Sequence, residues 1–226
     1  MDKKRALAVL VVFSALGMAQ KFSVEGGAGF YGGLGGQLAV VVEDLVQGLP
    51  LGLRLGVGFA QSDALDDAYD LGGGTKWGDY KNTNQLSEWG QNITLSADVL
   101  YKVSVQGLPV EVAPYVGLRY NFFSGGYTDP QNNLPNIKAE TASSNQFGLG
   151  LGARLAYPLA PNLRVVGDLG VDYFFKACIE GRTEPDAGSP TSQTVCPGDT
   201  AYPNLDKFVT QPEWVLKLRL GLAYRF

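Results

Sequence analysis

The stretch EWVLKLRLGLAYRF, residues 213–226, alternates between two kinds of residue. Every even-numbered position is bulky and apolar, whereas the odd-numbered positions include Lys217, Arg219 and Arg225. Because successive side chains of a β-strand point to opposite faces, this pattern predicts a strand with one apolar face and one basic face. An apolar outer face and a charged inner face are typical of a strand in an outer-membrane β-barrel.

Seven further segments show the same two-residue period between turn-forming residues. They predict strands at residues 22–31, 37–46, 51–59, 93–105, 110–122, 147–157 and 163–175. Most are close to the roughly 9–11 residues that a tilted strand needs to span a bilayer. Together with the last strand they predict an all-β fold: an eight-stranded antiparallel up-and-down transmembrane β-barrel formed by residues 20–226.

The connections between these strands differ in length. The sequence QGLP at 47–50 returns at 106–109, and PLAPN at 158–162 is a third short turn, while residues 32–36 form a glycine-rich turn. Long loops are predicted at about 60–92, 123–146 and 176–212. Apart from Lys176, which is counted with the inner faces below, they carry thirteen acids against five bases. Since short turns of such barrels face the periplasm, the acidic loops are expected outside the cell.

Residues 1–19 are predicted to be a cleaved secretory signal. Lys3, Lys4 and Arg5 precede a short apolar run, and Gly17-Met18-Ala19 is a small-x-small cleavage site. Without residues 1–19 the chain has 15 Lys and Arg against 21 Asp and Glu. This net negative charge argues against a nucleic-acid partner, which would require a basic surface.

The inner faces of the predicted strands carry nine bases and six acids, including Glu25, Glu43 and Lys176. The other twelve form the predicted lumen charge network: Arg54, Asp98, Lys102, Glu111, Arg119, Arg154, Arg164, Asp168, Asp172, Lys217, Arg219 and Arg225. An eight-stranded barrel is just wide enough for its side chains to fill, and an unpaired buried charge costs several kcal/mol. The sequence therefore predicts a closed, salt-bridged lumen, with a narrow and weakly anion-preferring channel as the alternative.

The two cysteines, Cys178 and Cys196, lie at either end of the last long loop. Export to an oxidising compartment favours a disulfide between them. A metal site is not expected from this pair, because the chain contains no histidine to complete one.

Four carboxylates in the first long loop, Asp63, Asp66, Asp67 and Asp70, have the spacing of one helix face. Converging carboxylates bind Ca²⁺, so a calcium- or ligand-binding surface module is a second alternative. The spacing does not match the alternating ligands of a calcium loop, and the main expectation is a solvated acidic loop without any cofactor.

The absence of histidine also bears on catalysis. It excludes Ser-His and Cys-His activation of a nucleophile and the usual proton shuttle at neutral pH. Small outer-membrane barrel enzymes such as the lipid A deacylases and the omptin proteases use a histidine. A non-enzymatic role is expected.

In its signal segment, its three short turns and its closing run, residues 216–226, the chain resembles the OmpA-like family of eight-stranded outer-membrane barrels. The resemblance implies insertion into the bacterial outer membrane. It also implies that Tyr224 and Phe226 belong to a terminal signal read by the barrel-assembly machinery. The expected role is structural: a rigid barrel that maintains membrane integrity, or presents acidic loops to a surface layer, a phage or another surface partner.

Overall fold

The computed structural model describes residues 21–46, 48–104, 107 and 109–226. The predicted signal, residues 1–19, lies outside the described residues. Eleven strands and two short helices lie in the described ranges. The strands are β1 Phe22–Tyr31, β2 Leu34–Val42, β3 Leu51–Gln61, β4 Ser87–Tyr101, β5 Val103–Ser104, β6 Glu111–Thr128, β7 Ala139–Ala160, β8 Leu163–Phe174, β9 Ile179–Glu184, β10 Thr191–Val195 and β11 Trp214–Arg225. The helices are α1 Trp77–Thr83 and α2 Tyr202–Phe208.

The strands close into a barrel because β1 pairs with β2 on one side and with β11 on the other. The remaining neighbours pair in the order β2, β3, β4, β6, β7, β8 and β11, all antiparallel. The short strand β5 continues the line of β4 alongside β6, so the closed barrel has eight positions. The predicted fold class is confirmed. Neither helix of the described chain has the length and apolar character needed to cross a bilayer.

Side chains on the barrel strands segregate as the alternation predicts. On β11, Leu216, Leu218 and Leu220 are exposed on the outer face, while Lys217 and Arg219 are buried inside. Phe226 lies at the seam between β1 and β11, where its ring stacks on that of Phe22 with the ring centroids 4.9 Å apart. The outer face is therefore a continuous apolar surface suited to lipid.

Pro114 lies inside β6, where a missing N–H removes one ladder hydrogen bond. Its pairing with Ala153 of β7 is regular. On the other edge, the ladder between β4 and β6 ends at Tyr115 and resumes only at Val112, opposite β5. The proline therefore accounts for the interruption that separates β4 from β5, next to Lys102.

Several predicted boundaries are wrong. The β1–β2 connection is shorter than the predicted turn at 32–36, because β2 begins at Leu34, and β2 ends at Val42 rather than at residue 46. At the outer end of the barrel β4, β6 and β7 continue several residues beyond the predicted strands, to Ser87, Thr128 and Ala139. These extensions are rich in Gly, Ser and Thr, so backbone pairing continues where the apolar alternation has faded. The predicted long loops at 60–92, 123–146 and 176–212 are correspondingly shorter and partly strand.

Above the barrel these extensions form a small folded unit, which we call the outer cap: residues 62–92, 123–146 and 175–213. Its sheet consists of the upper parts of β6 and β7 together with the hairpin β9–β10, since β9 pairs with the first six residues of β7. Its apolar core contains Ala64, Leu65, Trp77, Phe123, Tyr127, Leu134, Ala142, Ile179, Val195, Tyr202 and Val209. The loops are therefore ordered by a hydrophobic core rather than solvated separately, although they are acidic.

Closure at the β1–β11 seam depends on a close backbone approach at Gly221. A Cβ atom there would lie 2.6 Å from the Cα of Gly27, whereas one at Gly167 on β8 would meet nothing closer than 3.9 Å. We expect Gly221→Val to reduce strongly the fraction of protein that refolds to the compact, heat-modifiable form on cold SDS gels. Gly167→Val is the matched control and should refold like the unmodified protein; equal refolding of the two variants would contradict this account.

Candidate functional site

The middle of the lumen is filled by a layer of buried ion pairs, which we call the middle layer. Asp98 on β4 lies between Arg54 on β3 and Arg119 on β6, with N–O distances of 2.9 and 2.6 Å. The Arg119 Nε is also 2.9 Å from Asp172 on β8, and Lys217 on β11 is 3.2 Å from the same carboxylate. Three of these pairs join neighbouring strands, whereas the Arg119–Asp172 pair bridges β6 and β8, which are not neighbours, and so ties the walls together through the lumen.

Two tyrosines complete the middle layer. The hydroxyl of Tyr31 donates to Asp172 at 2.8 Å, and that of Tyr115 donates to Asp168 at 2.7 Å. The Tyr115 ring also lies beneath the guanidinium of Arg54, 4.4 Å from its centroid. These rings add cation–π attraction and occupy the space between the charges. Sequence reasoning missed both tyrosines, because a lumen-facing tyrosine has no pattern that distinguishes it from one at the lipid interface.

Arg219 is the exception in this layer. Its strand position is directly across from Asp168, yet within the described residues it forms no ion pair. Its Nη1 donates to the side-chain oxygen of Gln37, and its guanidinium lies 4.4 Å from the ring centroid of Tyr31. Asp168 instead pairs with Arg54 at 3.2 Å. With four bases and three acids, the middle layer has a net charge of about +1.

A second charged layer lies toward the short-turn end. Arg154 on β7 donates from its Nε to Glu25 at 2.7 Å and is 3.3 Å from Glu111. Glu43, just after β2, forms ion pairs with three bases. They are Lys102 at 3.2 Å, Arg164 at 3.6 Å and Arg225 at 3.0 Å. This lower layer is more exposed than the middle one and seals the lumen less completely.

Toward the outer cap the lumen contains neutral amides instead of charges. Asn121 donates to Asn92 at 2.9 Å and accepts from Thr94 at 2.9 Å. Gln146 continues this layer and donates to the backbone oxygen of Pro212 at 2.9 Å. The amides were missed because only charges were sought on the inner faces.

All twelve residues predicted for the lumen network lie in these two charged layers. Lys176, also predicted to point inward, does not: it lies just beyond β8 in the outer cap and pairs there with Asp206. That contact raises the pKa of Lys176 and, with a hydrogen bond from Gln211, keeps the pKa of Asp206 below its usual range despite partial burial of that carboxylate. The predicted position was wrong because the barrel strand ends at Phe174 and the alternation stops there.

Free space within the lumen is distributed unevenly. A cavity of about 340 Å³ lies at the outer end, beside Asn92 and Asn121, and one of about 260 Å³ lies at the lower end, beside Glu111 and Arg164. Between them, next to Arg54, the lumen retains about 30 Å³. That volume is enough for a water molecule or two. Of these three cavities the smallest is therefore the one between the middle layer and Arg154 and Glu25 of the second charged layer.

In the outer cap, Glu88 organises the first long loop. Its two carboxylate oxygens accept from the backbone N–H groups of Ala64 and Leu65, from the indole of Trp77 at 3.1 Å and from Lys81 at 2.8 Å. The residue was predicted only as one of many loop acids. Its role depends on contacts with residues up to 24 positions away, which no local pattern encodes.

The four aspartates proposed as calcium ligands do not converge. Asp66 and Asp70 each accept from the backbone N–H two residues further on, at 2.9 and 2.7 Å, and Asp67 pairs with Lys81 at 2.6 Å. Asp63 contributes its backbone oxygen to Thr210. Over the described ranges no three acidic or sulfur-bearing side chains are grouped in a way that would hold a metal ion. The four side chains would share one face only in a helix, and they do not converge because residues 63–70 are not helical.

The predicted disulfide is present: Cys178 and Cys196 are bonded. The bond lies beside Ile179 and Val195, which are paired at the base of the hairpin β9–β10. It therefore fastens the hairpin at the point where it joins the core of the outer cap.

The chain is similar to a solved structure described as a major outer membrane protein from Thermus thermophilus. The two share 72% sequence identity with a TM-score of 0.89, over 92% of this chain and 100% of that one. The chain belongs to the family of that outer membrane protein. It is accordingly a protein of the outer membrane, and its apolar outer face lies in the lipid bilayer.

More distant structures resemble this outer membrane protein only weakly. Neisserial surface protein A has 13% identity and a TM-score of 0.39, covering 92% of this chain and 95% of its own. CarO of Acinetobacter baumannii has 11% identity and a TM-score of 0.44, covering 91% and 97%. Neither likeness bears on function. No family model and no curated protein matches the sequence.

The middle layer should make a large contribution to stability. Removing one partner of a buried ion pair typically destabilises by about 3–5 kcal/mol, because the other charge is left uncompensated. We expect Arg119→Met to lower the free energy of unfolding by about 3 kcal/mol, measured by denaturant unfolding in detergent micelles. Lys138→Met, which breaks an exposed pair with Glu184 in the outer cap, should change it by at most about 1 kcal/mol.

The disulfide should stabilise the outer cap rather than the barrel. The bonded residues are 18 positions apart, for which loop closure predicts roughly 3 kcal/mol. We expect the double variant Cys178→Ser, Cys196→Ser to be cleaved by protease within residues 179–195 while the barrel stays folded on cold SDS gels. Resistance equal to that of the unmodified protein would show that the core of the cap alone fixes the hairpin.

Proposed function

We propose that the protein is a structural component of the outer membrane whose lumen is closed. The observation that carries this proposal is the middle layer of buried ion pairs and two tyrosines, together with the cavity of only about 30 Å³ that separates it from Glu25 and Arg154 of the lower layer. A hydrated ion needs a continuous column of water, and a cavity of that size supports a closed lumen because it holds only a water molecule or two. Opening it would separate several buried pairs at once, each of which is costly to break.

A structural role also fits the way the barrel and the outer cap are built. Ion pairs span the lumen from wall to wall, and the cap has its own apolar core and a disulfide. Both features favour rigidity over movement. We infer that the protein supports membrane integrity or presents the acidic cap to a surface partner, such as a surface layer or a phage, and that it is not an enzyme.

The likeness to OmpA-like barrels supports the same inference at the level of architecture. Tyr224 and Phe226 are exposed on the lipid-facing side at the end of β11. Aromatic residues at this end of the closing strand are what a resemblance to that family would offer to the barrel-assembly machinery. We infer recognition by that machinery before insertion.

Single-channel recording in planar bilayers tests the closed lumen. We expect the refolded protein to give no steady conductance steps. The triple variant Arg54→Ser, Asp98→Ser, Arg119→Ser removes bulk and charge from the middle layer while leaving two acids and two bases in it. It should give small, reproducible steps and so show that the assay detects an opened barrel. Steady steps from the unmodified protein would instead establish the alternative, a small channel.

A further inference from the structure

The outer cap contains a cavity that is separate from the lumen. It measures about 360 Å³ and lies between the face of the cap sheet and helix α2. Its floor is formed by β6, β7, β9 and β10, and its opposite wall by Leu205 and Phe208 of the helix together with Leu65 and Val209. A volume of this size falls within the range of small-molecule sites.

The strand register explains why a cavity forms there. Three rows of inward-facing residues cross the four strands. The row nearest the barrel contains Phe123, Ser144, Ile179 and Val195. The middle row contains Gly125, Ala142, Gly181 and Gln193, and the outermost row contains Tyr127, Glu140, Thr183 and Thr191. The middle row has almost no side-chain volume on its first three strands, so the sheet and the helix are not in contact above it.

Gly181 marks the open part of this row. A Cβ atom at Gly181 would meet nothing closer than 3.8 Å, whereas one at Gly125 would press on Ala64. The space above β9 is therefore unfilled, while that above β6 is occupied by the first long loop. Valine would fit at position 181, because the backbone there is ordinary strand and the side chain would project into the cavity.

The acidic group at the cavity is the carboxylate of Glu140. The lining also includes the exposed Arg182, which lies between Gly181 and Thr183 on β9 and is therefore on the opposite face of the cap sheet by strand alternation. Glu140 accepts a hydrogen bond from the Tyr127 hydroxyl at 2.9 Å and one from the Thr183 hydroxyl at 3.3 Å. Across the described residues no base lies within ion-pair distance of it. The nearby Lys138 pairs with Glu184 at 3.2 Å. Glu140 is thus a half-buried negative charge, fixed in position by two neutral donors and facing an apolar wall.

The surrounding aromatic residues are also fixed. Trp77 packs against Tyr127 at 4.9 Å and against Phe208 at 5.3 Å between ring centroids. The indole of Trp77 is in turn bonded to Glu88. Two of the rings that line the cavity are therefore positioned by the core of the cap and do not need to rearrange to accept a ligand.

We propose that this cavity binds a small organic ammonium ion with an apolar body. The ammonium group pairs with Glu140 and lies near the face of Tyr127, where carboxylate and ring both attract a cation. The apolar body lies over the middle row, against Leu205 and Phe208. A carboxylic acid would be repelled by Glu140, and a neutral molecule would gain only the apolar contact. This proposal does not depend on whether the lumen is closed.

The test is isothermal titration of the refolded protein in maltoside micelles with phenethylamine, phenethyl alcohol and phenylacetate. We expect the amine to bind, the alcohol to bind at least about tenfold more weakly, and the acid not to bind detectably. Glu140→Gln preserves the side-chain shape and removes the charge; its amide keeps one acceptor oxygen and offers an NH2 that the other hydroxyl can accept from. It should weaken amine binding by about tenfold or more. Glu184→Gln, a change of the same kind on the opposite face of the cap sheet, should leave binding unchanged.

Gly181→Val provides the second, steric test. Its side chain would project into the cavity above the middle row, where the apolar body of the amine is placed, and should strongly weaken amine binding while cold SDS gels show a folded barrel. It also decides the question if Glu140→Gln fails to fold. Amine binding that is equal in the unmodified protein and in either variant, or no stronger than that of the alcohol, would overturn the proposal, because it would reflect partition into the micelle or the apolar surface.

Discussion

Lipid offers no hydrogen-bond partner to a backbone N–H or C=O, so each of these groups in the hydrocarbon layer must be paired within the protein. The pairing of β1 with β11 meets this requirement by leaving no free edge. The other features follow from closure. Once eight strands form a ring, every second side chain must fit into a narrow lumen, and the opposite set must face lipid. The ion pairs of the middle layer are a consequence of this geometry: charged residues placed inside can only be neutralised by one another.

The closed ring could be predicted from the sequence because its period is short and repeated. The alternation from Trp214 to Phe226 is enough to assign each residue of β11 to the lipid or the lumen, because it does not depend on the neighbouring strands. The twelve residues proposed by the same rule for the lumen network lie in the two charged layers. It fails where alternation ends: Lys176 follows the last residue of β8, and the rule no longer applies to it.

The sequence predicts which side chains face the lumen, but not which of them pair with one another. The strand register places Arg219 opposite Asp168. Arg219 nevertheless donates a hydrogen bond to Gln37, and Asp168 forms its ion pair with Arg54. Such choices depend on side-chain reach across the lumen between strands that are not adjacent. The outer cap was missed for a related reason. Its strands are rich in Gly and Ser, and its core is assembled from three separate segments, so its apolar residues look scattered along the chain.

Strands β6 and β7 belong to both parts of the molecule, and β7 changes one of its partners between them. The membrane portion of β7 is paired with β8, and its first six residues are paired with β9 of the cap, while β6 accompanies it along nearly its whole length. β7 is thus one continuous strand shared by the barrel and the outer cap. If a surface partner pulled on the cap, the load would run along the β7 backbone into the barrel wall. The hydrogen-bond ladders on both sides would then be loaded in shear, the direction in which many bonds must break together.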